Sequence, residues 1–521
     1  MPYNQRMPSV MAHNFSSNPH IGVPRSNFNR SHGLKTTFDA SYLYPVFLDE
    51  VLPGDTINMR MDAVARLATP INPIMDNCYV DVQWFFCPAR LVHDNWEKLN
   101  GEQENPGDST DYQVPVVTTP TGGYAEGSLA DYFGLPIGVE IEDVNALPFR
   151  IYQEVFNSWY RDENLQDSLT VEKGDGPDLA SQYVLQKRGK RHDYFTSCLP
   201  WPQKGDAVNL PLGTSAPIAF DGTGSNNAVG IEGNDGQYSL YGWSGDTPAY
   251  RVNTAVQTPE TMLYADLTDA TAATINELRN AFRVQSLYET DARGGTRYIE
   301  VLKAHFGVTS PDARLQRPEY LGGGSTMVNI NPVVQNSSTD ATTPQGNLAA
   351  YGTVGISGQG FVKSFVEHGY IIGLASARAD LTYQKGIHRM WTRQTRWDFY
   401  WPGLNGLGDQ AVLSKEIYAD GSASDQDVFG YQERFAEYRY KPSQITGKFR
   451  SDAAQSLDAW HLSQDFTTRP VLDADFIEED VPLDRVIAVP SEPHFILDAY
   501  FNYKCARPMP THNIPGMMSR F

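Results

Sequence analysis

The 521-residue chain has four cysteines, Cys78, Cys87, Cys198 and Cys505, and no two stand at CxxC spacing. That scatter speaks against a zinc site and against a disulfide framework, and it suits a reducing compartment. Long apolar runs are missing as well. The longest, around "YIIGLASA" at 370–377, falls far short of a bilayer span. The opening "MPYNQRMPSVMAHNF" holds no apolar core of the kind a secretory leader needs, so none is expected. Basic residues are outnumbered 41 to 62, for a net charge of -21, which argues against a chain that coats nucleic acid over its whole surface.

Signatures of catalysis are also lacking. No HExxH, GxSxG, GxGxxG or GxxxxGK[ST] is present, and "GISG" at 355–358 and "GWSG" at 242–245 miss the spacing of a nucleophile elbow. The 11 histidines stand singly, none at metal-ligand spacing from another or from a cysteine, so neither metal nor cofactor is expected. The carboxylates at Asp49-Glu50 and at Glu478, Glu479 and Asp480 read as solvated loop acids. A glycosidase needs two facing across a cleft, which adjacency does not provide. The chain therefore reads as non-enzymatic.

What is present points to strands and turns. Gly 43, Pro 34 and 12% aromatics against 20% charged residues favour a strand-rich protein over a helical one. In "CYVDVQWFFCPARLV" the residues Cys78, Val80, Val82, Trp84 and Phe86 fall on one face, and Pro88 ends the run. "HFILDAYFNYKCARP" repeats the alternation from Phe495 to Cys505 and could pair with the first in one sandwich. "SFVEHGYIIGLASARADLTY" at 364–383 predicts a third strand, with His368 a hydrogen-bonded sheet residue. Helices are expected where Phe149, Tyr152, Phe156 and Trp159 share a face behind Pro148, and where Ile275, Leu278, Phe282 and Gln285 do. The second runs down to Gly294-Gly295 in "DARGGTR". A phosphate loop needs a strand before its glycines, and a helix stands there instead, so the pair reads as a left-handed helix stop.

Charge is unevenly placed. Residues 1–38 hold Arg6, Arg25, Arg30 and Lys35 and no acid, and residues 499–521 hold Lys504, Arg507 and Arg520 and no acid. Basic ends on an acidic body suit contact with a polyanion, and they equally suit plain solvation. "QKRGKRHDYF" at 186–195 sets Lys187, Arg188, Lys190 and Arg191 around one glycine, as a phosphate contact or a solvated turn. In "HRMWTRQTRWDFYWPG" at 388–403, Arg389, Arg393 and Arg396 interleave with Trp391, Trp397, Phe399 and Trp401. Such a stretch stacks bases, forms a protein interface, or is a strand with tryptophan buried; interface or core is favoured. Residues 206–260 are rich in Gly, Asn and Asp with Arg251 the only basic residue, a polar excursion suited to recognition.

Several longer stretches resemble the major capsid proteins of the Microviridae, in the gokushovirus branch of small single-stranded-DNA phages. They include "FNRSHGLKTTFDASYLYPVFLDEVLPGDT" (28–56), "ATPINPIMDN" (68–77), "WFFCPARLVHDNWEKLNGEQENPGDST" (84–110), "KRGKRHDYFTSCLPWPQKG", "DARGGTRYIEVLKAHFGVTSPDARLQRPEYLGG" and "VFGYQERFAEYRYK". The resemblance is colinear over essentially the whole chain and fades at about 206–265 and 418–427. It implies an eight-stranded antiparallel jelly roll with long insertions, in a T=1 shell around circular single-stranded DNA. It also implies an internal scaffolding protein, a pilot protein and a small basic DNA-binding protein as partners, with assembly in the bacterial cytoplasm and residence in the virion.

On that basis residues 1–35 are expected to form an extended basic arm, 36–505 a single jelly-roll domain and 506–521 a tail. The excursion at 206–265 is expected to be a threefold protrusion meeting a host surface receptor through Tyr238, Tyr241, Trp243 and Tyr250. Arg6, Arg25, Arg30, Lys35, Lys187, Arg188, Lys190, Arg191, Lys504 and Arg507 are the candidates for contact with DNA or the basic partner. A carbohydrate-binding β-sandwich is the rival reading, resting on the tyrosines and tryptophan at 238–250.

Overall fold

The computed structural model describes residues 24–109, 111–205, 275–295, 297–308, 315–339 and 344–512, with side chains from 278 in the third of these, and strand backbones at 218–220, 228–232, 238–244, 247–251 and 263–265. It divides into two units, Met1–Pro202 with Ser310–Phe521, and Gln203–Thr309.

The first unit is built on two antiparallel sheets. Its strands are β1 (Ser26–Asn29), β2 (His32–Phe38), β3 (Tyr44–Val51), β4 (Thr56–Leu67), β5 (Cys78–Pro88), β6 (Glu319–Met327), β7 (Asn329–Val334), β8 (Leu348–Ser364), β9 (Gly369–Ala379), the hairpin strands β10 (Asp409–Leu413) and β11 (Val428–Glu433), and β12 (Phe495–Arg507). A six-stranded sheet runs β1–β12–β4–β8–β7, with β2 also paired to β12, and a four-stranded sheet runs β6–β5–β9–β3. The strands near residues 80 and 500 thus lie in different sheets and face one another, with the Trp84 and Phe501 rings 6.1 Å apart edge to face. Phe47 and Phe361 close on the same indole at 5.6 and 5.9 Å. Burying side chains of this size stabilises the fold by about 1.5–3 kcal/mol each. Gly373 is required beside the indole, since a Cβ there would lie 2.7 Å from the Trp84 ring.

The two sheets differ in how they are covered. Along β12, Phe495, Leu497, Ala499, Phe501, Tyr503 and Cys505 are buried while Ile496, Asp498, Tyr500, Asn502 and Lys504 are exposed, the alternation of a one-sided sheet. Every residue of β9 is buried. Its second face, with Phe85 and Cys87 of β5, is covered by α1 (Leu147–Trp159) through Leu147, Ile151, Tyr152 and Val155. Pro148 stands in the first turn of α1, and Phe149, Tyr152 and Phe156 are buried, as the spacing predicts, while Trp159, expected on the same face, is 38% exposed at the helix end. His368 lies just outside β9, where its carbonyl accepts from Ala89 and its ring meets Trp96.

Residues 26–35, expected in an extended arm, are paired instead. Residues of β1 and β2 run antiparallel along β12 from Ser26 opposite Arg507 to Phe38 opposite Phe495, filling the hydrogen-bonding edge that β12 would otherwise leave open.

In the second unit, α2 (Ile275–Gly294) and α3 (Tyr298–Phe306) follow one another. Gly295 has φ +95°, so the glycine pair in "DARGGTR" stops a helix. Of the expected apolar face, Leu278 and Gln285 are partly covered, together with Ala281 and the buried Ala292, but Phe282 is 67% exposed, one position round from Ala281. At the end of α2, His305 of α3 meets Asp291 at 2.6 Å. Within 228–251 the backbones form a three-stranded antiparallel sheet that sets Tyr241 opposite Tyr250, Tyr238 opposite Glu232 and Trp243 opposite Pro248.

Candidate functional site

The basic residues near the chain ends converge on β12, because β1 and β2 pair with it. Arg6 lies outside the described residues. The Arg25 guanidinium donates to the Gly54 carbonyl at 2.6 Å and to Thr56 Oγ1 at 2.9 Å. Arg30 grips Asp49 with both terminal nitrogens and lies over the Tyr503 ring. Burial works against the Arg30 charge, but Asp49 more than offsets it and keeps the group protonated. Arg507 pairs with the fully buried Asp55 at 3.0 Å and donates to the Glu50 carbonyl. These three cations staple the chain ends to the β3–β4 corner.

Lys35 and Lys504 are different, since they stand on the uncovered face of the six-stranded sheet. Lys35 reaches the exposed Asp498 at 3.2 Å, a contact worth little in water. Lys504 lies opposite Asn58. The alternation of β4 brings Arg60 and Arg66 onto the same exposed face, opposite Asn502 and Ile496. Sequence reasoning missed these two. The signal was the alternation in "INMRMDAVARL", which buries Ile57, Met59, Met61, Ala63, Ala65 and Leu67 and so must turn Arg60 and Arg66 outward.

The "QKRGKRHDYF" cluster turns largely inward. Lys190 is buried; its ammonium donates to the Phe476 carbonyl at 2.6 Å and lies 4.5 Å from the Phe476 ring centre. Arg188 reaches across to Asp81 and Ser376, and Arg378 donates to the same Asp81 at 2.6 Å. Burial opposes ionisation of Asp81, yet the Arg378 and Arg188 guanidiniums prevail and hold its carboxyl below the usual range. Burial likewise depresses Lys190 and pushes Glu479 up to about 7 against the pull of Lys190, Arg188 and Arg378. Lys187 lies 4.0 Å from Glu478, and the half-exposed Arg191 pairs with Asp380 at 3.4 Å. Of the four, Lys187 and Arg191 remain in reach of solvent.

The aromatic–arginine stretch is not a strand. It is a chain of 3-10 turns (Arg389–Thr392, Arg396–Asp398 and Pro402–Leu404), and Trp391, Trp397, Phe399, Tyr400 and Trp401 are all exposed. Thr395 and Asp398 cap the middle turn reciprocally. Arg389 is tied to Glu416 at 3.1 Å and Arg393 to Glu437 at 3.0 Å. Arg396 lies between two indoles, 4.6 Å from the Trp401 ring and 5.2 Å from the Trp397 ring. A cleft lined by His388, Arg389, Glu416 and Tyr440 opens at the foot of this platform.

The host-recognition candidates Tyr238, Tyr241, Trp243 and Tyr250 fall on strands described by backbone alone. Among the described residues no three His, Cys, Asp or Glu side chains gather as metal ligands would, and no helix is long and apolar enough to cross a membrane.

A two-sheet sandwich with chain ends stapled to it and a broad exposed aromatic surface is consistent with a capsid β-sandwich. Comparison with known proteins gives the class its family: residues 16–517 match the capsid protein (F protein) family, and the chain belongs to it. It is 50% identical to capsid protein VP1 of Bdellovibrio phage phiMH2K, over 98% of both chains. It is 44% identical to capsid protein VP1 of Chlamydia phage 1, over 99% of this chain and 100% of that one, and 37% identical to capsid protein VP1 of Spiroplasma virus 4, over 98% of both. The likeness to gokushovirus capsid proteins that the sequence motifs carry thus extends from end to end. The chain is a bacteriophage capsid protein, a component of the virion that assembles with copies of itself.

Proposed function

We propose that this capsid protein is the major coat subunit of a T=1 icosahedral shell around circular single-stranded DNA, without catalytic activity. The observation that carries the reading is the chain-long, colinear match to capsid proteins. The facing six- and four-stranded antiparallel sheets support a jelly roll with β1 and β2 added along its edge. In this reading the shell assembles in the host cytoplasm on an internal scaffolding protein and takes up a pilot protein and a small basic DNA-binding protein. The excursion at 206–265 forms the protrusion that meets the host receptor, through Tyr238, Tyr241, Trp243 and Tyr250.

For the genome, the exposed cations of the six-stranded sheet are the better placed set. Lys35, Arg60, Arg66 and Lys504 share one face, whereas Arg30, Arg188, Lys190 and Arg507 are held in internal pairs or burial. Arg25, Lys187 and Arg191 reach solvent elsewhere on the same unit and remain further candidates, and Arg6 joins them by charge. On the sheet face Lys35 and Arg60 pair with surface carboxylates, Asp498 at 3.2 Å and Asp62 at 3.4 Å, weak contacts that phosphate can displace.

Expression with the scaffolding protein, then gradient sedimentation and negative-stain imaging, tests the shell. Uniform icosahedral particles are expected, and a slow monomer under every salt condition would overturn the reading. Particles built from Lys35→Ser, Arg60→Ser, Arg66→Ser and Lys504→Ser together are expected to form normally and carry less DNA. Unchanged DNA content would remove this face from the genome contact.

A further inference from the structure

We propose that the aromatic–arginine platform at 388–401 is a subunit contact, and that it docks on the acidic lobe at 122–143 of a second copy of this chain. The inference rests on the shell reading and adds the two surfaces that meet.

Single exposed aromatics are ordinary on a protein surface, but a contiguous patch is not. Here Trp391 is 71% exposed, Trp397 58%, Phe399 51% and Trp401 41%, and Tyr438 beside them is 51% exposed. Tyr438 receives a hydrogen bond from the Tyr400 backbone N–H and lies under Arg393 at 4.3 Å, and Trp401 Nε1 donates to the Arg396 carbonyl at 3.1 Å, so these two rings are held in place. Fixed aromatic rings around an arginine lose little freedom on docking and are the composition of interface hot spots.

The charges favour protein over nucleic acid as the occupant. A single-strand groove needs a row of free cations to follow the phosphates. In this stretch Arg389 and Arg393 are neutralised by Glu416 and Glu437, which leaves Arg396 as the cation without a carboxylate among the described residues. One guanidinium stacked between two indoles fits a carboxylate set in an apolar surround.

The same chain displays that surround. Residues 99–149 contain nine acids and no lysine or arginine. Within them Ile137 is 46% and Val139 52% exposed, next to the exposed Glu140, Glu142 and Asp143. Glu140 is engaged by the Gly122 backbone N–H, whereas the exposed Glu142, three residues after Val139, has no partner among the described residues. An aromatic platform with one outward guanidinium and an acidic aliphatic lobe are two different patches of one subunit. We assign them to a head-to-tail contact, the kind that closes into rings around symmetry axes.

The test uses the full chain, assembled as above, with Arg396→Glu, Trp397→Ala and Glu142→Arg and a thermal melt of each unassembled subunit. Each single variant is expected to melt like the parent and to lower pairwise association about thirtyfold, read as loss of particles from the fast fraction. Arg396→Glu combined with Glu142→Arg is expected to restore particles. Normal particle yield from Arg396→Glu and Trp397→Ala would overturn the contact, and normal yield with reduced DNA content would assign the platform to the genome instead. Failure of the charge swap to rescue would overturn the acidic lobe as the partner surface. If the parent chain forms no particles, the shell reading fails by itself. Sedimentation equilibrium of the subunit then decides the contact, which falls if Arg396→Glu leaves self-association unchanged.

Discussion

Arg150 and Arg396 carry the same charge in opposite settings. Arg150, on the inner face of α1, is fully buried and grips Asp178 with Nε and Nη2 at 2.7 Å each, while Nη1 donates to the Val92 and Gly174 carbonyls. Arg396 lies 5.2 Å from the Trp397 ring centre and 4.6 Å from that of Trp401, with no carboxylate partner among the described residues. The first arrangement satisfies the guanidinium within one subunit, so its effects are confined to folding. The second leaves the charge outward on a rigid apolar bed, so its effects belong to whatever docks there. The contrast separates structural cations from contact cations, a distinction that composition and net charge do not make.

The sharpest way to break the comparison is Arg150→Ala. It strands Asp178 in a dry site and is expected to cost about 3–5 kcal/mol, measured by chemical denaturation of the unassembled subunit. A loss below 1 kcal/mol would mean that the buried pair is no more structural than a surface one. A smaller effect, with a sign set by pH, is expected at Glu479. Its carboxyl is raised from 4.5 to about 7 by burial, against the attraction of Lys190 and the two guanidiniums. The folded state therefore holds the proton more tightly than the unfolded chain. Whatever stability this confers is present below about pH 4.5 and lost as pH rises through 7. Glu479→Gln is expected to flatten the fall between those limits and to leave the variant about 1–3 kcal/mol more stable than the parent at pH 8. Parallel pH profiles for the two would show that Glu479 ionises without cost.

Much of the sandwich was legible because alternation survives where one face meets water. In β12 the buried and exposed sets could be read off residue by residue, and so could the three buried aromatics of α1; β4 carries the same alternation, unread at Arg60 and Arg66. Less was legible where the partner is distant in sequence. Nothing near Lys190 announces the Phe476 carbonyl 286 residues away, and nothing near Arg188 announces Asp81, so a cluster that reads as solvated or phosphate-binding proved largely internal. The pairing of β1 and β2 with β12 was hidden for the same reason, since β1 is only SNFN and the Leu34, Thr36, Phe38 alternation of β2 does not announce a partner near the far end of the chain. In α2 the apolar period was real and Leu278 and Gln285 do fall on its covered side, but Phe282 turns outward, one position round from Ala281. The platform at 388–401 was legible in composition alone. Whether tryptophans at that spacing are buried depends on the backbone, and turns rather than a strand put them outside.

The smallest expected effect is the most discriminating for the comparison. Arg396→Ala removes a guanidinium that makes no ion pair among the described residues and whose stacking partners stay half in water, so the unassembled subunit should keep its stability within about 0.5 kcal/mol. Exposed cation–π stacking contributes about 0.5–1 kcal/mol at most, and the side-chain freedom regained on truncation offsets part of it. A denaturation midpoint that moves as far as that of Arg150→Ala would show that the indoles depend on Arg396 for their own placement. The platform would then be a folding element that happens to face outward. An unmoved midpoint leaves the stacked guanidinium with no work to do inside the subunit, and places its energetic consequence in the contact between copies.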